Sequence, residues 1–312
     1  MILNPISQKK LHNLDFFFDE IKNILNLNTL TNKILLTGPK GSGKATLGYH
    51  IVNYIFSKNE EFPYNFKKKE IDSQNKSFKL IESGSHPNFF LIDLIKDNQN
   101  IEISQIRKML EFTNKSSFNN LVRFIFIDNL ESLTINSSNA LLKIIEEPNK
   151  NTFFILIQDS NKKILDTLKS RCLIFKINLS FDSSILITNK LLEENVLDLI
   201  NNDLINYYDT PGYLVNLVNF SKQNNLLLKD YNLNEFLLFL INENFFKKDE
   251  FIKKNIFKFI ELYFYKKLNN SFDKKNIISF YSKFISKIND TKKFNLDEES
   301  LFLEFKSKAL YG

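Results

Sequence analysis

Two kinds of apolar pattern run along this chain. Between residues 33 and 177, short blocks of consecutive apolar residues alternate with stretches whose apolar positions recur every three or four residues; beyond 178 only the second kind continues. Consecutive runs bounded by polar residues predict strands buried on both faces, and three-to-four spacing predicts helices. Strands are expected at Lys33–Thr37, Phe89–Leu94, Val122–Ile127, Phe153–Ile157 and Leu173–Ile177, and helices at Ala45–Phe56, Ile103–Phe112, Asn136–Ile145 and Lys162–Lys169. Alternation of this kind builds a parallel sheet covered by helices on both faces. In the helical remainder, Tyr208 to Gly212 is the clearest breaker, with Thr210 placed to cap a helix that starts at Pro211. A polar interval near 221–225 then separates a small helical segment from a bundle beginning about Asn232.

The first strand and helix are joined by Gly38-Pro39-Lys40-Gly41-Ser42-Gly43-Lys44-Ala45. A phosphate-binding loop uses its glycines to let backbone N–H groups close around phosphate oxygens, its lysine to neutralise them, and a hydroxyl after the lysine to hold Mg²⁺. The strand-loop-helix context favours such a loop over a glycine-rich turn, and the fold expected is an α/β P-loop NTPase. Ala45, however, lacks the metal-binding hydroxyl, and Thr46 comes one residue late, on another face of the helix. The candidate nucleotide ligands are Gly38, Gly41, Ser42, Gly43, Lys44, Thr46 and Asp128, and the cofactor such a degenerate site allows is ATP or ADP. Asp128 ends the strand Arg123–Ile127, where P-loop proteins place the acid that orients Mg²⁺; read plainly, it caps the following turn. Its successor is Asn129, an amide with no basicity at neutral pH, where an active ATPase usually has a glutamate base.

Composition narrows the rest. With 312 residues and 43% hydrophobic content, the chain is long enough for two or three domains. A net charge of +6 permits a polyanionic partner, but acidic and basic residues are interspersed. Cys172 is the only cysteine and His12, His50 and His86 are scattered, so neither a disulfide, a zinc site nor any other metal centre is expected. No apolar stretch reaches membrane-spanning length and the first ten residues lack a signal core, so a cytoplasmic protein without membrane association is expected. Residues 57–79 are polar and read as an exposed excursion, with Lys67-Lys68-Lys69 as a solvated run rather than a dedicated DNA contact.

The stretch Ser137-Ser138-Asn139-Ala140-Leu141-Leu142-Lys143-Ile144-Ile145-Glu146-Glu147-Pro148, followed by Ser170-Arg171-Cys172, resembles the bacterial clamp-loader proteins of DNA polymerase III, an AAA+ family. His86-Pro87-Asn88-Phe89 is similar to that family's His-Pro-Asp segment, and the resemblance covers roughly residues 30 to 180. It implies an AAA+ domain over 1–178, an all-α lid over 179–222 and a C-terminal helical collar over 223–312. Altered Ala45 and Asn129 beside intact Arg171 resemble the family's stator subunit, which does not hydrolyse ATP but offers this arginine to ATP on a neighbour. The partners implied are the motor and clamp-opening subunits of a hetero-pentamer, with the sliding clamp and primer-template DNA reached through the complex.

The family's zinc module is missing, since 57–79 holds no cysteine, and the lid's sensor arginine would fall near Tyr213, which is not basic. Gln158 and Asp159 stand where a polar sensor residue belongs. Arg107, Lys108 and Lys115 are either phosphate contacts or the solvated face of their helix, and Arg171 taken alone could be an ordinary surface arginine. The competing reading is an ATP-hydrolysing motor subunit or related AAA+ replication ATPase. A P-loop kinase would leave residues 136 to 172 unexplained.

Overall fold

The computed structural model describes residues 4–26, 32–95, 98–115, 122–149, 151–270, 274–294 and 297–310. Five strands, β1 (Lys33–Gly38), β2 (Phe89–Ile92), β3 (Arg123–Ile127), β4 (Thr152–Asp159) and β5 (Leu173–Lys176), pair in the order β2-β3-β4-β1-β5, all parallel. The helices are α1 (Asp15–Asn26), α2 (Lys44–Phe56), α3 (Lys76–Glu82), α4 (Ile103–Asn114), α5 (Ile135–Glu146), α6 (Asp166–Lys169) and α7 (Phe181–Leu192), then α8 (Val196–Leu199), α9 (Pro211–Gln223), α10 (Leu233–Asn242), α11 (Phe245–Lys248), α12 (Glu250–Asn270), α13 (Lys274–Phe294) and α14 (Glu298–Phe305).

Side chains of a strand point alternately to its two faces, so a run apolar at every position must feed two cores. Phe124 and Phe126 of β3 meet Ile34, Leu36, Ile155 and Ile157 under α1 and α2, where Phe18, Ile21, Leu47 and Ile51 complete the layer. Ile125 and Ile127 point the other way and join Leu35, Phe154 and Leu156 beneath Ile106, Met109, Leu141 and Ile145 of α4 and α5. The expected doubly covered parallel sheet is therefore present.

Three local expectations change. The strand expected to reach Leu94 stops at Ile92, because the Asp93 carboxylate accepts the Leu94 N–H and turns the chain. The helix expected over Lys162–Lys169 is confined to Asp166–Lys169; upstream, the Gln158 side-chain amide donates to the Lys162 carbonyl and holds that segment out of the helix. Residues 57–79, expected to be an exposed excursion, do face solvent at most positions but are pinned down by buried side chains such as Ser57, Tyr64, Lys69 and Asn75.

Ser57 is fully buried and its hydroxyl accepts the Tyr64 N–H, while the Tyr64 ring stacks on Phe18 at 5.3 Å between centroids. Asn75 caps α3 by accepting the Phe78 N–H at 2.7 Å, accepts a second bond from the Asn53 amide and donates to the Phe62 carbonyl. Glu60 accepts the Lys76 and Ser77 N–H groups at the same helix start. Lys69, placed by composition in a solvated run, is 6% exposed: it pairs with Asp19 at 2.5 Å and lies 3.6 Å from the centre of the Phe66 ring. The aromatic faces and the carboxylate supply what water would otherwise give that ammonium. Lys67 and Lys68 do face solvent.

The chain divides into two compact units, residues 1–191 with Thr210–Tyr213, and Leu192–Asp209 with Leu214–Gly312. The second unit is helical. Its core is built from phenylalanines in edge or tilted contact, Phe220, Phe236 and Phe259 in one cluster, Phe264, Phe284 and Phe305 in another, and Phe302 against Phe246 and Phe257. Asp209, buried in this unit, is paired with Lys258 at 2.5 Å. No helix of the described residues is long and apolar enough to cross a membrane.

Candidate functional site

The C-terminal ends of β1, β2, β3 and β4 carry the first cluster. Gly41 and Gly43 take left-handed angles, φ +83° and +88°, which shape the loop between β1 and α2. Gly41 is further constrained from outside, because Gly212 donates its N–H to the Gly41 carbonyl at 3.0 Å and Thr210 donates its hydroxyl to the Lys40 carbonyl at 2.8 Å. The Thr210 hydroxyl also accepts the Tyr213 N–H, so the expected cap of α9 is also the clasp on the loop. Lys44 turns back on the loop and donates to the Gly38 carbonyl at 2.8 Å and the Pro39 carbonyl at 2.6 Å. Burial lowers its pKa to about 8, opposed by the charges of Asp159, Asp128 and Glu131.

Asp128 follows β3. Burial, and then the charge of Asp93, push its pKa up to about 6. Asp93 follows β2, and Ile92 pairs with Ile127, so the two carboxylates lie at the ends of adjacent strands. Asn129 adopts left-handed angles, φ 52° and ψ 47°, which asparagine tolerates better than most residues. Its side-chain amide donates to Asp93 at 2.7 Å, a role no ionised glutamate could take. Glu131, one short helical turn further on, accepts the Asp159 N–H at 3.0 Å.

A nucleotide can be tested against these groups. The left-handed glycines and the buried Ser42 hydroxyl, which has no hydrogen-bond partner, fit a loop shaped for phosphate oxygens. The donor set does not fit the Mg²⁺ that accompanies ATP, because position 45 carries no oxygen beyond its backbone carbonyl. Thr46 does not repair this: one residue along an α-helix it lies ~100° round from position 45. Among the described residues no group of three or more His, Cys, Asp or Glu is arranged to hold a metal.

Arg171 lies elsewhere. It follows α6 in a turn closed by the Arg171 N–H to the Leu168 carbonyl and the Cys172 N–H to the Lys169 carbonyl. Its guanidinium donates to the Thr167 carbonyl at 2.9 Å and pairs with Glu146 at 2.6 Å, with its side chain 37% exposed. Cys172 beside it is raised to about 11 by burial, which leaves its thiol protonated and inert at neutral pH.

Of the residues singled out in the sequence, Gly38, Gly41, Ser42, Gly43, Lys44 and Asp128 come together and Arg171 stands apart. Arg107, Lys108 and Lys115 are exposed on or just after α4. Sequence reasoning missed Asp93 and Glu131. The signal for both was available: an acid closing the strand before β3, and a second acid three residues after Asp128.

The model of the family described as DNA polymerase III, delta subunit matches residues 14–180, more than half of the chain. The chain is 30% identical over 150 residues to the delta' subunit of DNA polymerase III from Bacillus subtilis, a match covering 48% of this chain and 43% of that protein. It is 31% identical over 218 residues to the delta' subunit from Buchnera aphidicola, covering 66% and 65%. These matches therefore take in less than two thirds of either relative's length. Among solved structures, a gamma-subunit-related protein of DNA polymerase III from Thermotoga maritima aligns with a TM-score of 0.52 at 16% identity, over 93% of this chain and 97% of that one. That likeness is one of fold: an AAA+ type P-loop α/β domain followed by helices.

Proposed function

Because the chain belongs to the DNA polymerase III delta-subunit family, we propose that it is the non-hydrolysing stator of a replicative clamp loader, supplying Arg171 in trans to ATP held by a neighbouring subunit. One observation carries this reading: Arg171 lies at the opposite end of the strands from its own phosphate loop. Leu173 pairs with Ile34, so Arg171 enters near the N-terminal end of β1, whereas the Lys44 ammonium sits against Gly38 and Pro39 at the other end. The six residues of β1, at ~3.3 Å each, put about 20 Å between the two ends of that strand. A half-exposed guanidinium so far from its own loop serves phosphate brought by another chain. Its planar fork suits the charge that develops on a transferring γ-phosphoryl group.

The chain's own loop supports the same reading from the opposite side. Lys44 is satisfied by loop carbonyls, Asn129 is engaged with Asp93, and Ala45 offers no hydroxyl. ATP or ADP bound there would be held by the loop without being cleaved. The partners are the motor and clamp-opening subunits of a hetero-pentamer, acting on the sliding clamp and primer-template DNA, with 1–178 as the AAA+ domain, 179–222 as lid and 223–312 as collar.

The test is an assembled complex with DNA-stimulated ATP turnover as readout. Arg171→Ala is expected to lower turnover by ~10³-fold or more, the low end of the range known for arginine fingers, while subunit stoichiometry stays intact; unchanged turnover overturns the assignment. A second reading, an ATP-hydrolysing motor subunit, draws on Glu131, whose carboxylate lies within electrostatic reach of Lys44 and Asp128 and could replace the base missing at Asn129. Turnover by the isolated chain that disappears in both Lys44→Ala and Glu131→Gln would decide for it.

A further inference from the structure

Helix α5 ends against the usual electrostatic preference. Although Lys143 stands in its last turn, its last residue is Glu146 and its C-cap is Glu147, two carboxylates at the negative end of a helix dipole, where a cation is the favoured neighbour. Pro148 follows and prevents the helix from continuing, which fixes Glu146 in the final turn. A local rule broken at a defined place asks for a compensating partner, and Arg171 is that partner, 2.6 Å away.

The two contacts on the guanidinium differ in kind. Thr167 belongs to α6, the short helix that carries the Arg171 turn, so its carbonyl moves with the arginine. Glu146 belongs to α5, which is anchored to the sheet by Leu141 and Ile145, both 0% exposed. Of these two contacts, the one to Glu146 therefore ties the direction of the guanidinium to the rigid core of the domain. An arginine side chain with its several rotatable bonds loses little stability without such a tie but loses aim, and misplacement by about 1 Å can cost a catalytic group most of its effect.

We propose that Glu146 is a positioning residue for Arg171: it holds the guanidinium at the edge of the sheet in the orientation that meets a neighbouring subunit's nucleotide. This rests on the reading that Arg171 acts in trans. The exposed ion pair, with side chains 37% and 48% accessible, contributes little to folding, so variants at 146 remain folded and assembled.

The experiment uses the complete clamp-loader assembly with ATP, sliding clamp and primed DNA, and a cycle of Glu146→Ala, Arg171→Ala and the double variant, with Glu146→Gln as the conservative comparison. Glu146→Ala is expected to lower the turnover at saturating ATP about 3- to 10-fold with the KM for ATP within about 2-fold of wild type. Glu146→Gln, whose amide oxygen still accepts from the guanidinium, should recover at least half of the lost rate. In the Arg171→Ala background, Glu146→Ala should change nothing further, which marks the two residues as one unit. A wild-type or faster rate in Glu146→Ala, or the same proportional loss in both backgrounds, overturns the proposal while a lowered rate in Arg171→Ala leaves the finger standing. If Arg171→Ala itself leaves turnover unchanged, the finger reading fails, and the positioning role fails with it.

Discussion

Replacing Asn75 with alanine removes the hub that fastens residues 57–79 to the sheet domain. Asn75 is 0% exposed, and it makes three hydrogen bonds: from the Phe78 N–H, from the Asn53 amide and to the Phe62 carbonyl. Loss of the helix cap costs about 1 kcal/mol. The Asn53 amide and the Phe62 carbonyl would each lose a partner in a buried setting, at ~1–3 kcal/mol apiece. Asn53 has no reserve to draw on, since its own side-chain oxygen already lacks a partner. The expected total is roughly 3–7 kcal/mol, or a fall in Tm on the order of 10–20 °C for a unit of this size. Asp72→Ala is the matched control: its carboxylate accepts the Gln74 N–H at the exposed turn just before Asn75, and its loss should cost under ~1 kcal/mol. Thermal melts followed by circular dichroism measure both, and hydrogen exchange at the Phe78 amide should accelerate only in the Asn75 variant. A Tm within about 2 °C of wild type would refute the hub. Because side-chain hydrogen bonds close this region and no group of metal ligands is arranged among the described residues, EDTA is expected to leave the wild-type Tm unchanged.

His50 is buried between the Tyr64 hydroxyl and the Gln8 carbonyl, and burial lowers its pKa to about 4. An unfolded histidine titrates near ~6.5, so the folded state binds fewer protons in between, and stability that is complete above pH ~6.5 falls as pH drops toward 4, by up to ~3 kcal/mol. Urea unfolding of His50→Gln at pH 7 and pH 4.5 should show a smaller pH-dependent loss than wild type; equal losses refute the role. Asp128 acts with the opposite sign: with its pKa raised to about 6, its ionisation opposes folding as pH rises through the window from ~4 to 6. Asp128→Asn should therefore gain ~1–3 kcal/mol above pH 6, shrinking toward zero near pH 4, and a gain independent of pH would count against the assignment. Lys69→Met keeps the aliphatic packing but removes the ion pair with Asp19 and the contact with the Phe66 ring. Equilibrium unfolding should report a loss of ~1–3 kcal/mol, and none at all would mean the buried ammonium is neutral to folding.

Legibility in the sequence followed the range of the interactions involved. Strand β3 was plain because four of its five residues form a consecutive apolar run, and the loop after β1 because its glycines, lysine and flanking pattern are local. Helix α1 was missed: the run Phe16-Phe17-Phe18 fills adjacent positions and masks the helical spacing of Phe18, Ile21 and Leu25. Lys69 was misplaced because its burial depends on Asp19 and Phe18, fifty residues earlier in the chain. Arg171 was found through its motif, but its pairing with Glu146 depends on the end of α5 meeting the turn after α6, a contact that no spacing encodes.

The clasp on the phosphate loop bears on how such a site decays over generations. A Cβ at Gly212 would stand 2.8 Å from the Gly41 Cα, and Gly41 and Gly43 hold angles that favour glycine. These glycines are thus required by the shape of the domain, whether or not phosphate ever enters. Nothing in that shape demands a hydroxyl at 45 or a carboxylate at 129. In a lineage released from hydrolysis the chemical groups are free to erode first, while the loop's outline survives like a worn inscription, kept by packing long after its meaning is gone. A glycine-rich loop in such a chain is therefore a record of descent, and the groups around it are the record of use.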